Sequence, residues 1–194
     1  MIPVILLSGI IGFSSLYGTC GPEVHPATTQ AIVEVESSGN PLAIHDNDTG
    51  ASYTPSNRAE AVEIATRLLA RHHSIDIGLM QINSWHLRKR KIDCDSLFDP
   101  CFNIKTGTEI LAAFYRTHRQ KNPSDPPDLT LLKSLSSYNT GTPYNGTRYI
   151  AKILKKARST HCNPTIRNAR LASTRTIPCQ PCNAITYYRK EKAK

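Results

Sequence analysis

The sequence predicts a mainly α fold of the α+β kind, with one small extended element. Apolar residues recur at helical spacing beside recognisable start signals, only one short stretch alternates, and 194 residues are enough for one compact core with short extras. The segment Pro26 to Ser38 is expected to be helical, with Pro in its first turn, Ala31, Ile32 and Val35 forming an apolar stripe, and Gly39 placed to stop it. A second helix is expected from Arg58 to His72, where Asn57 can cap and Glu60 stands three residues later as in a capping box. Between them His45 to Pro55 is polar and turn-rich, which predicts a surface loop. Ile75 to Ile82 alternates around a glycine and reads as a short extended segment or turn. Three more helices are expected over Asn103 to Arg119, Asp128 to Ser137 and Tyr149 to Arg158, with Asp125-Pro126-Pro127 breaking the chain between the first two.

The two ends differ from this middle. Ile2 to Leu16 is an uncharged apolar run, long enough for a secretory segment and too short for a comfortable membrane span. Residues 1–18 are therefore expected to be an export signal, although no Lys or Arg precedes the run; lipidation at Cys20 and a buried first helix are the alternatives. Residues 19–162 are read as the folded domain and 163–194 as a basic, Cys-containing tail. Export places the protein in the periplasm with no stable membrane span, where six cysteines favour disulfides; spacing alone leaves fifteen pairings open. Cys179-Gln180-Pro181-Cys182 lacks the βαβ surroundings of a redox motif and reads as a structural crosslink. A formal charge of +9 fits an anionic polymer such as cell wall. Nucleic acid would match the charge, but no nucleic-acid motif accompanies it.

The candidate chemistry begins in the first helix. Neighbours on a helix lie three and four positions apart, so Glu36 stands beside Ile32 and Val33, whereas Glu34 stands beside Gln30 and Ala31. A carboxyl held against apolar groups has its charged form disfavoured, as a general acid near neutral pH requires. Other segments accompany it in order. They are Glu36-Ser37-Ser38-Gly39-Asn40-Pro41-Leu42-Ala43, Gly78-Leu79-Met80-Gln81-Ile82-Asn83, Asp99-Pro100-Cys101-Phe102-Asn103-Ile104 with Gly107, and Ser137-Tyr138-Asn139-Thr140-Gly141 with Tyr149-Ile150.

In this order the motifs resemble those of lytic transglycosylases with a goose-type, lysozyme-like (SLT) catalytic domain, closest to small members attached to type IV secretion and conjugation systems. The resemblance runs roughly from Cys20 to Leu154 and implies a lysozyme-like α+β fold. It makes Glu36 the catalytic acid/base, Ser37 a hydrogen-bonding neighbour, and Met80 and Gln81 parts of the cleft wall against the sugar. Tyr138 is the residue expected to hydrogen-bond the catalytic carboxyl, Asn139 a supporting group and Tyr149 a late cleft tyrosine. It also pairs Cys20 with Cys101, leaving Cys94, Cys162, Cys179 and Cys182 for other bonds. The stretch His45 to Ser74 lengthens the link between the first two motifs, as in secretion-associated members, and Ile44-His45 replaces a Ser common in the family.

The activity implied is cleavage between N-acetylmuramic acid and N-acetylglucosamine in peptidoglycan, with an anhydro ring closed on the muramoyl end, no cofactor and no metal. Contacts with other secretion or conjugation proteins are implied with it. A hydrolytic muramidase is the competing enzyme. It would use a second carboxylate, for which Asp76 is the first candidate and Asp46 and Asp48 weaker ones. A wall-binding assembly protein that keeps the fold without the activity is the non-enzymatic alternative.

Overall fold

A computed structural model describes residues 13–161. Most of the expected signal segment, the tail, Cys162, Cys179 and Cys182 lie outside the described residues. The described chain forms helices α1 (Phe13–Cys20), α2 (Pro26–Glu36) and α3 (Arg58–Ala70), then α4 (Ser84–Arg90), α5 (Pro100–Lys121), α6 (Pro127–Thr140) and α7 (Thr147–His161). Strands β1 (Ile44–Asp46), β2 (Ser52–Tyr53), β3 (Ile75–Ile77) and β4 (Ile82–Asn83) form one antiparallel sheet in the order β2-β1-β3-β4, and a 3₁₀ turn covers Asp95–Phe98.

Local chemistry sets the ends of the longest helices. Asp99 caps α5 by accepting from the Phe102 amide, Pro100 occupies its first turn, and His118, Arg119 and Lys121 meet the negative end of its dipole. Asn57 caps α3 through the Glu60 amide, while the Glu60 carboxylate reaches back to Ser56. Helix α2 is one turn-fraction shorter than expected, ending at Glu36, because Ser38 and Gly39 both take positive φ.

Packing then gathers the motifs. α5 lies at the centre, burying Asn103, Ile104, Gly107, Thr108 and Leu111 against α1, α6 and the sheet side, while α2 packs along α7. Ile32, Ile77, Met80, Ile104, Leu135 and Ile153 are among the fully buried side chains of the continuous core. A disulfide joins Cys20 at the end of α1 to Cys101 in the first turn of α5.

One sequence expectation is corrected here. The stretch His45 to Pro55 is not only loop: Ile44 pairs with both Tyr53 and Ile77, so β1 sits inside the sheet. Its buried Asp46 accepts from Thr49 Oγ1 at 2.7 Å and contacts His73 Nδ1 at 2.8 Å, pinning the β1–β2 turn. Helix α1 runs across the boundary expected at Gly18, and its Tyr17 is 4% exposed.

Candidate active site

Glu36 is the last residue of α2, where a side chain can leave the helix bundle and face the sheet. The next residue fixes that end: Ser37 Oγ donates to the Leu79 carbonyl at 2.9 Å, tying α2 to the β3–β4 turn. From the other side Tyr149, on α7, donates its hydroxyl to Glu36 Oε1 at 2.6 Å. Burial pushes the Glu36 carboxyl up to about 7; the Tyr149 hydrogen bond and the Lys152 ammonium oppose the rise, and the negative charge of Asp76 adds to it. Burial, with Glu36 beside it, holds the Tyr149 phenol well above its ordinary range, so it remains a donor.

The wall facing Glu36 is built from the β3–β4 turn. Gly78 sits at φ +77°, and a Cβ there would overlap the Asn103 amide and stand 2.6 Å from the Leu97 carbonyl. That space belongs to Asn103, which accepts from the Met80 amide at 2.8 Å and donates to the Ile77 and Leu97 carbonyls at 3.0 and 2.8 Å. Asn103 is thus the buried clamp that holds the second motif on α5. Gln81 adopts φ +46° and donates Nε2 to the Gly78 and Ala43 carbonyls, an uncommon conformation held by these bonds.

A cleft of about 550 Å³ opens between these walls, lined among others by Glu36, Asp76, Gln81, Tyr138 and Asn139. Asp76 accepts from Asn47 Nδ2 at 2.9 Å and Asn83 Nδ2 at 2.7 Å, so both its oxygens are already engaged. Three expected roles differ. Met80 is fully buried and is not on the cleft lining; a Cβ at Gly107 would come within 2.5 Å of its sulfur. Tyr138 donates to the Met80 carbonyl at 2.8 Å instead of to the carboxyl. Tyr149, 7% exposed, stands behind Glu36 and not on the cleft lining. The two tyrosines therefore exchange parts, because the packing of α7 on α2 brings the later one to the carboxyl.

Sequence reasoning passed over several lining residues: Asn47, Asn83, Trp85, His86 and Phe114. A signal existed for Trp85, the chain's one tryptophan, which follows closely on the second motif. Among the described residues Asp46, Asp48 and His73 come close enough to share a cation, and Asp46 there accepts from Thr49 and the Asp48 amide and contacts His73.

The chain is 35% identical over 143 residues to Protein virB1 of Agrobacterium fabrum, covering 73% of this chain and 57% of that protein. It is 32% identical over 155 residues to Type IV secretion system protein virB1 of Brucella abortus, covering 76% of this chain and 65% of that protein. The chain thus spans between 57% and 65% of the length of these curated relatives. No solved structure matches it significantly. The family described as Transglycosylase SLT domain matches residues 15–160, nearly all of the described fold, and the chain belongs to that family.

Proposed function

We propose that the protein is a peptidoglycan lytic transglycosylase in which Glu36 serves first as acid and then as base. The observation that carries this reading is a buried carboxyl, titrating near 7, held by Tyr149 in a cleft. At that pKa a proton is present to give and, once given, is readily recovered. Glu36 protonates the oxygen linking N-acetylmuramic acid to N-acetylglucosamine, and the bond from muramoyl C1 to that oxygen breaks. The substrate's own N-acetyl oxygen supports the developing positive charge. The Glu36 carboxylate then takes the proton of the muramoyl C6 hydroxyl, whose oxygen bonds to C1 and closes the anhydro ring. Atoms balance without water, which makes the step a lyase reaction needing neither metal nor cofactor.

Other side chains take supporting parts. Gln81 and Asn139 contact the glycan, Tyr138 and Ser37 hold the turn that carries Gln81, and Tyr149 fixes the carboxyl's orientation. Asp76, in the same cleft, supports a hydrolytic second reading, with each of its oxygens already accepting one hydrogen bond, from Asn47 or Asn83. The site of action is the periplasm after export, with local wall opening for a type IV secretion or conjugation apparatus, a reading supported by the names of the virB1 relatives. No helix among the described residues is long and apolar enough to cross a membrane. The test is turbidity clearing of purified sacculi: Glu36→Gln should slow it by roughly 10² to 10⁴. An unchanged rate would remove Glu36 from the mechanism.

A further inference from the structure

Helix α4 places Trp85 in the cleft lining and holds the Lys89 ammonium against its ring. Trp85 lines the same cleft as Asp76 and Gln81 and is 50% exposed, so its ring is open to a ligand there. It is not held loosely. Asn83 caps α4 by accepting from the Trp85 amide at 2.9 Å, and the same Asn83 donates to Asp76 at 2.7 Å, so the ring's backbone is tied to the cleft wall. The Lys89 ammonium lies 4.4 Å from the Trp85 ring centroid. Arg90 next to it is paired with Glu109 at 2.9 Å, whereas among the described residues no carboxylate pairs with Lys89. His86 packs edge-on against Trp85 at 4.9 Å, and its Nδ1 is buried without a hydrogen-bond partner.

From this arrangement we propose that Trp85 and Lys89 form a saccharide subsite on α4 that selects amino-sugar strands bearing a carboxylate. The ring covers the apolar C–H face of a pyranose, and the ammonium meets an acidic substituent, such as a peptide-stem carboxylate, projecting from that sugar or its neighbour. The two groups have separate duties: the ring binds any β-linked N-acetylhexosamine, and the cation distinguishes charged strands from neutral ones. The inference rests on the proposed glycan substrate and names the residues that choose among glycans.

Because the chain has one tryptophan, its emission reports on this position directly. The probes are the neutral tetramer of N-acetylglucosamine and a peptidoglycan tetrasaccharide carrying its stem peptides, each titrated into the full-length Glu36→Gln variant by fluorescence and calorimetry. Both should change the emission saturably, with the anionic ligand bound about tenfold more tightly at low salt. Lys89→Met should abolish that preference while sparing the neutral tetramer, and Lys89→Arg should keep it. Trp85→Ala should weaken both ligands by about tenfold, with Trp85→Phe recovering part of the loss. Binding seen by calorimetry with unaltered emission, or an undiminished preference in Lys89→Met, would overturn the subsite and leave the transglycosylase reading standing. Absence of binding by either ligand would instead defeat that reading, and the subsite with it.

Discussion

Glu36 must give a proton and retrieve one, and its surroundings set the pH at which it can do so. Burial raises the carboxyl to about 7 while the Tyr149 hydroxyl, by stabilising the ionised form, holds it from rising further. Only the protonated acid starts the reaction, so kcat/KM should be sustained below this value and fall as pH rises through it. Removing the opposing bond in Tyr149→Phe should move the descending limb to higher pH, by about one unit, as well as lower the maximum rate. A limb that stays in place or moves to lower pH would contradict the assignment. Much at this scale was legible: the neighbours of Glu36 at three and four residues' distance are fixed by helix geometry, and Ile32 and Val33 are indeed buried. The choice between Tyr138 and Tyr149 was not, because it depends on how α6 and α7 pack, and both are tyrosines following a recognisable motif.

Among the elements, the decisive piece is the turn between β3 and β4, clamped from beneath by Asn103 on α5. A Cβ at position 78 would meet backbone and a fully engaged amide, and it would also have to bear a positive φ. At position 107 it would meet the sulfur, methyl and Cβ of Met80, of which the sulfur and methyl belong to a flexible end that can shift. Gly78→Ala should therefore cost several kcal/mol in denaturant unfolding, and Gly107→Ala about 1–3 kcal/mol. Equal losses, or the reverse order, would mean that the clamp is not what holds the wall. The helices were legible because their caps are local, as with Asp99 and Asn57. Strand β1 was not, since its place inside the sheet comes from β3, some thirty residues further along the chain. Helix α1 overlaps the apolar run that predicts an export signal and contributes Tyr17 and Cys20 to the core.

For the whole molecule, the Cys20–Cys101 bond closes a loop of 81 residues between α1 and the central helix. Constraining so long a segment of the unfolded chain stabilises the fold by about 2–5 kcal/mol, so a reductant should lower Tm measurably. Cys20→Ser should show the lowered Tm and lose most of the response to reductant; an unaltered Tm in both cases would show the bond to be dispensable. The pairing was legible only through the family resemblance, because six cysteines leave fifteen choices. The order of the four motifs along the chain likewise carried the fold, since each contributes one wall or support of a single cleft. What they leave open between them is the fate of the glycosyl centre, and mass spectrometry of the fragments released from purified sacculi addresses it most directly. Glu36 acting without a water nucleophile yields muramoyl ends in the anhydro form, one water lighter than a reducing sugar, and none from Glu36→Gln. Free reducing muramoyl ends from the wild-type protein would contradict the account and transfer the second role to Asp76.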